Sequence, residues 1–155
     1  MTAPLISQGC GLQRVQATSE TGQLDLFGAR SGGLFEHAIT EDRAGRAEVA
    51  RKLYWEAIEA QERVADAFCN LAGMSYELGD DVRAREHLAD ALVNAADHAL
   101  AHYNSGTLAL SQGNNTLAVL HYREGLAGEP NLPCLQLNLG VALARSGDYG
   151  GAMAI

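Results

Sequence analysis

Three asparagines recur at a constant spacing and carry the most informative chemistry in this sequence. Asn70, Asn104 and Asn138 follow one another at intervals of 34 residues. An amide side chain both donates and accepts hydrogen bonds, so one asparagine per repeat could bind an extended peptide backbone without reading its side chains. The same amides could instead bond to a neighbouring helix and hold the repeats together. The spacing leaves both roles open.

Histidines and cysteines offer other chemistry, but their spacing does not support it. His98 and His102 are one helical turn apart and could share a metal, yet no third ligand follows at a fixed spacing. Cys10, Cys69 and Cys134 are far apart, as expected for packed thiols in a reducing compartment. Every glycine has a place in a turn or a helix contact, so none forms a phosphate loop. We predict no catalytic residue, no metal site and no cofactor.

Composition favours one all-α domain. Hydrophobic residues make up 47% of the 155 residues and aromatic residues only 6%, which indicates a core of Ala and Leu between closely packed helices. The net charge of −8 disfavours nucleic acid, because a polyanion needs a clustered positive surface. No apolar run approaches the roughly 20 residues that span a bilayer, and the N-terminus lacks a signal-peptide pattern. We expect a cytoplasmic protein without membrane contact.

The 34-residue period extends to glycines and alanines. Each unit has apolar residues at helical spacing, then a Gly-Asp or Gly-Asn step that ends one helix and caps the next. Small residues at fixed phases keep the two helices of a unit close together. The pattern predicts a helical hairpin in every unit, with these residues in phase: Gly79, Gly113, Gly147, Ala84, Ala118 and Ala152.

These motifs resemble the tetratricopeptide repeat (TPR) family, in the segments "FCNLA", "LGDD", "SGDY" and "EPN". The resemblance implies a right-handed α-solenoid of about three and a half units. Its TPR domain would cover residues 31–155, in units 31–64, 65–98, 99–132 and an incomplete 133–155. Ser105 departs from the usual Leu, and Ala96 and Glu62 replace the usual proline, so those units could turn differently.

The two ends fall outside the regular repeat. Residues 1–30 form an N-terminal extension in which Leu12 to Ala17 and Gln23 to Phe27 alternate like a β-hairpin, so this extension is either a short hairpin or disordered. The last helix would end early, with Met153 and Ile155 uncapped. We expect either a fragment of a longer chain, which is the favoured interpretation, or an open end that packs on another copy.

In TPR proteins the first helices line a concave surface that holds a peptide or helix. The resemblance places Asp66, Cys69, Gly73, Thr107, Ser111 and Val141 there as well. A chaperone-type carboxylate clamp is disfavoured, because the comparable positions hold no basic residue. An apolar ligand fits better, and the acidic balance favours a basic one. The predicted peptide-binding residues are Asn70, Asn104, Asn138, Tyr76, Tyr103, Leu137, Glu77 and Arg145.

The resulting hypothesis is a non-enzymatic module that binds a peptide or protein segment on the concave face. One alternative is a self-associating scaffold that pairs through the uncapped C-terminal helix or the N-terminal hairpin. Another alternative is the TPR part of a larger enzyme or regulator. Oligomeric mass would distinguish the first alternative, and the extent of the reading frame would distinguish the second.

Overall fold

A computed structural model describes residues 12–16 and 33–155 of the chain. The described residues form helices and connecting turns and contain no strand. Consecutive helices pack against each other in pairs that are joined by short turns. The all-α prediction and the helical-repeat solenoid are confirmed. In chain order the helices are α1 (Leu34–Arg43), α2 (Ala47–Glu59), α3 (Val64–Glu77), α4 (Asp81–Asn94), α5 (Ala99–Ser111), α6 (Asn115–Gly128), α7 (Pro133–Arg145) and α8 (Tyr149–Met153).

The turn inside each pair follows the Gly-Asp or Gly-Asn step. Gly79, Gly113 and Gly147 have φ values of +76°, +76° and +88°, a left-handed conformation that favours glycine. The next residue caps the following helix, as the Asp80 and Asn114 side chains accept the N–H groups of residues 83 and 117. The first pair has the glycine, but the N-cap residue of α2, Arg46, makes no side-chain capping hydrogen bond.

The core follows the small residues that recur along the sequence. Ala84 and Ala118 are fully buried, and the side chain four residues further on, Leu88 or Tyr122, fills the space between the two helices of its pair. Gly106 lies so close to the Tyr122 ring that a Cβ atom there would be 2.5 Å from a ring carbon. The identity of the small residue is therefore set by the large residue opposite it.

Glu62 shows why the first unit tolerates the loss of its proline. Its carboxylate accepts the backbone N–H groups of Leu34 and Phe35 at 2.9 and 3.1 Å, at the start of α1. Carboxylates at a helix N-terminus accept hydrogen bonds from free N–H groups and interact favourably with the positive end of the helix dipole. The chain turns through Gln61 and Arg63, both at positive φ (58° and 46°). Glu62, the residue that replaces the usual proline, thus links the turn after α2 to the start of α1.

The predicted β-hairpin lies mostly outside the described residues. Residues 12–16 have neither helix nor strand, and the second run of the hairpin is not described. At the other end α8 has five residues, and the Met153 side chain is 89% exposed. None of the helices in 33–155 is both long and apolar enough to cross a membrane.

Candidate peptide-binding surface

Residues 12–16 lie against α3 and α5, where two of the recurring asparagines bind their backbone. The Asn104 amide accepts the N–H of Gln13 and donates to its C=O, both at 2.7 Å. The Asn70 amide accepts the N–H of Val15 at 2.7 Å and donates to its C=O at 3.4 Å. Each amide therefore satisfies both polar groups of a single backbone residue.

The two contacts define a register and a direction. Gln13 and Val15 are two residues apart, so the segment advances two residues for each helical pair. It passes Asn104 on α5, then Asn70 on α3, and reaches α1 at Gln16, whose side chain accepts a hydrogen bond from Arg43 at 2.7 Å. The segment therefore runs opposite to the order of the helical pairs.

Arg14 points between two carboxylates. Its Nη1 donates to both oxygens of Asp42 at 2.6 and 2.5 Å, and its Nη2 bonds to Glu77. The side chains of Arg14 and Asp42 are only 18% and 14% exposed, so the pair is partly shielded from solvent screening. The stem of Arg14 crosses Gly73, where an added Cβ would be 3.0 Å from the Arg14 Cγ and Nε atoms.

Apolar and polar side chains of the segment point to different surroundings. Val15 packs against the core cluster that contains Phe35 and Tyr54. Leu12 packs against a second cluster that includes Leu88. The intervening Gln13 is exposed, as is Gln16. The bound pattern is therefore apolar, exposed, arginine, apolar, exposed.

The sequence of α3 explains how this surface forms. Asn70, Gly73 and Glu77 are spaced by three and four residues, which places them on one face of a helix. Asn70 binds the Val15 backbone, and Gly73 makes room for the Arg14 stem. Glu77 then binds the Arg14 guanidinium. We call the surface made by these three residues with Asn104 and Asp42 the segment-binding surface.

Asn70 also has a structural role, whereas Asn104 does not show one. The Asn70 amide donates to the Tyr54 hydroxyl at 2.9 Å in the core. Burial, together with the charge of Asp42, raises the pKa of Tyr54 and keeps its hydroxyl protonated. Among the described residues, the Asn104 side chain bonds only to Gln13, through two hydrogen bonds, so Asn104 is the cleaner residue to substitute.

The other sequence-predicted residues lie in different places. Tyr76 packs beside Leu12 against the cluster around Leu88. Tyr103 is 9% exposed, and its ring centroid lies 6.3 Å from that of Tyr122 in a core cluster. On α7, the apolar side chain of Leu137 is 69% exposed. The side chains of half-buried Asn138 and exposed Arg145 make no hydrogen bond to any described residue.

Sequence reasoning missed Asp42 and the segment itself. Asp42 lies in the last turn of α1, in the unit with the weakest repeat pattern, so its phase gave no sign of a binding role. Residues 12–16 lie outside the repeat. The only available signal was their alternation of apolar and polar side chains, which equally fits a β-hairpin.

A cysteine, a histidine and an aspartate also meet, between α3 and α5. The Cys69 Sγ is 3.9 Å from His98 Nδ1, and His98 Nε2 is 2.9 Å from Asp66. However, His98 Nδ1 accepts the N–H of Ala101 as the cap of α5. Burial raises the pKa of the Cys69 thiol, which favours the neutral thiol over the nucleophilic thiolate. Burial also opposes ionisation of Asp66, but hydrogen bonds from His98 and Arg63 outweigh it and lower that pKa. The group caps a helix and joins two helices.

The two histidines considered as a metal pair have separate partners. His98 bonds to Asp66, whereas His102 faces His121, with 3.2 Å between their Nδ1 atoms. His102 Nε2 lies 3.0 Å from the C=O of Ala96 and donates to it, so its Nδ1 accepts from His121. Among residues 12–16 and 33–155 there is no group of three or more His, Cys, Asp or Glu side chains placed to hold a metal.

The His102–His121 contact predicts a loss of stability in mild acid. Burial, with the nearby His102, lowers the pKa of His121 below its ordinary value of 6.5. Below that value the unfolded chain binds this proton more readily than the folded chain, so the free energy of unfolding falls as the pH decreases. We expect His121→Gln to reduce the slope of the free energy of unfolding against pH, by at most about 1.4 kcal/mol per pH unit for one proton.

Urea unfolding between pH 7.5 and 5.5 measures this slope. His37→Gln is the control, because it removes one histidine and leaves the His102–His121 contact intact. A slope that His121→Gln leaves equal to that of the unsubstituted chain would contradict the prediction. Burial also lowers the pKa of His87, so His87 contributes to the dependence that remains.

Comparison with known proteins identifies the repeat. A family model of the tetratricopeptide repeat matches residues 35–98 and 83–133, which span α1 to α6 and most of the described chain. No curated protein matches the sequence significantly. The helical pairs, their glycine turns and this match lead to one conclusion. The chain belongs to the tetratricopeptide repeat family.

Proposed function

We propose that this protein binds an extended peptide segment of another protein on the segment-binding surface, with Asn70 and Asn104 holding the peptide backbone. TPR proteins are in general protein-interaction modules and typically act without catalysis. The observation that carries the proposal is the pair of two-way hydrogen bonds between these amides and the backbone of Gln13 and Val15. The same amides could bind the backbone of a peptide from another protein in this way.

The protein's own segment and a foreign peptide would compete for the same amides. A segment joined to its site by a short linker competes at an effective concentration on the order of millimolar. The unsubstituted chain should therefore bind an added peptide weakly. Vacating the surface while retaining the whole chain makes the proposal testable.

The test uses the full chain with Gln13→Pro and Val15→Pro. Proline lacks an N–H, so these changes remove both N–H groups that the asparagines accept. A fluorescent peptide with the sequence of residues 11–17 should then bind more tightly than it does to the unsubstituted chain. Anisotropy titration measures both affinities. Asn104→Ala in the vacated chain should weaken binding by about tenfold or more, since two buried hydrogen bonds are lost.

Two controls separate binding from folding. Gln16→Pro places a proline in the same segment at an N–H that makes no hydrogen bond to a described residue. Of the segment's hydrogen bonds to the helices, it removes only the exposed one from Arg43 to the Gln16 side chain, so it should leave the surface occupied. Circular dichroism should give the same helicity for the vacated chain and its Asn104→Ala form. The proposal fails if the peptide does not bind the vacated chain, or if Asn104→Ala leaves its affinity unchanged in a folded protein.

A further inference from the structure

We propose that the segment-binding surface selects peptides that carry an arginine, in the order apolar, any residue, arginine, apolar, and that Asp42 and Glu77 recognise the arginine. This inference rests on the proposed function and names the class of ligand. Residues 12–16 are the example of such a ligand that the structure contains. A partner segment of the same chemistry would have to displace them.

The geometry around Arg14 is that of an arginine site rather than a general basic patch. One guanidinium nitrogen reaches both oxygens of Asp42, and the other reaches Glu77 on a different helix. A planar guanidinium bridges two carboxylates in fixed directions, whereas a lysine ammonium acts as a single point charge on a flexible stem. Arginine is therefore the residue that satisfies both acids at once.

The surface also has a shape that fits this side chain. Gly73 lies under the Arg14 stem, and any larger residue would begin with a Cβ 3.0 Å from the stem atoms. Asn70, one helical turn before, fixes the backbone of Val15, the next residue of the segment. By holding the backbone of Val15, Asn70 thus positions the preceding arginine so that its guanidinium meets Asp42 and Glu77.

The flanking apolar residues define the rest of the pattern. Leu12 and Val15 contact different core clusters, on either side of the arginine. Gln13 lies between them and is exposed, so its side chain carries little information. Charge agrees with the pattern, because a chain of net charge −8 attracts a basic segment.

The binding test compares three peptides on the vacated chain described above. These are the peptide of residues 11–17, its Arg14→Lys form and its Arg14→Ala form. We expect the arginine peptide to bind most tightly, the lysine form more weakly, and the alanine form about tenfold or more weakly than arginine, since hydrogen bonds between charged groups are lost. Raising the salt concentration should weaken the arginine peptide and leave the alanine form nearly unchanged.

Isosteric changes in the protein locate the effect. Asp42→Asn with Glu77→Gln keeps the shape of the surface and removes its two charges, so arginine and alanine peptides should then bind about equally. Glu86→Gln with Glu124→Gln, on exposed positions of α4 and α6, changes the net charge by the same amount and should preserve the preference.

The outcomes separate this inference from the function on which it rests. If arginine and alanine peptides bind the vacated chain equally, and Asn104→Ala weakens both, the surface binds peptides without reading arginine and the inference is wrong. If the control pair abolishes the preference as fully as the Asp42 and Glu77 pair, net charge rather than this site is responsible. If no peptide binds, the proposed function fails as well.

Discussion

Gly106→Ala is expected to destabilise the protein, whereas Gly140→Ala, at the equivalent position one repeat later, is expected to stabilise it. A Cβ at residue 106 would lie 2.5, 2.8 and 2.9 Å from three atoms of the fully buried Tyr122 ring. Overpacking costs about 1–3 kcal/mol, and because a contact of 2.5 Å with a fully buried ring forces the ring or its helix to shift, we expect a cost above the gain of about 1 kcal/mol from replacing a helical glycine. Outside its own helical turns, a Cβ at residue 140 would meet only the Ala152 carbonyl oxygen, at 4.0 Å, so only the gain remains.

Thermal and urea unfolding of the two variants measure this difference in sign. Tyr122→Leu supplies the matched test, because the second pair already combines Ala72 with Leu88 in one core cluster. Gly106→Ala should be much less harmful in the Tyr122→Leu protein than in the unsubstituted one, since the ring is gone. Equal effects of Gly106→Ala in both proteins would show that the ring is not the cause.

Asn104→Ala is expected to release the backbone of Gln13 from α5. In the unsubstituted chain the N–H groups of Gln13 and Val15 are bound by amides, whereas those of Arg14 and Gln16 make no hydrogen bond to a described residue. Hydrogen exchange should therefore be slow at residues 13 and 15 and fast at 14 and 16. Losing two hydrogen bonds, each worth about 0.5–1.5 kcal/mol, should speed exchange at Gln13 by about tenfold or more.

Residue-resolved exchange by NMR checks this pattern. Asn138→Ala is the matched control, because its amide makes no hydrogen bond to a described residue and should leave exchange at residue 13 unchanged. Uniform exchange across residues 13–16, or an equal response to both alanine variants, would contradict the assignment. Asn70→Ala is less suitable, since it also removes the partner of the buried Tyr54 hydroxyl.

Much of the fold was predictable because its causes are local. A glycine followed by Asp or Asn ends one helix and caps the next, and both effects depend on a few adjacent residues. The recurrence of these steps therefore predicted the paired helices. The first pair was harder to predict, because its α2 lacks a side-chain cap and its connection to α3 uses Gln61 and Arg63 at positive φ.

The candidate site was predictable only in part. The 34-residue spacing singled out Asn70 and Asn104 together with Asn138, and the family resemblance placed Glu77 on the same surface as Asn70. Tyr103 precedes Asn104 in the sequence, but its side chain packs in the core. Side chains of adjacent residues on a helix point about 100° apart, so the two face different neighbours. Whether the proposed peptide binding occurs stays a prediction.

The sequence by itself determined the helical pairs, their glycine turns and the small-residue phases, since each arises from contacts within a few turns of the chain. Only the tertiary structure decided that Gly106 must be smaller than the alanine at residue 72, because Tyr122 faces it from another helix. It also brought Arg14 to Asp42 and Glu77, which are 28 and 63 residues away along the chain. Local periodicity carries no information about such distant partners, since packing alone selects which surfaces meet.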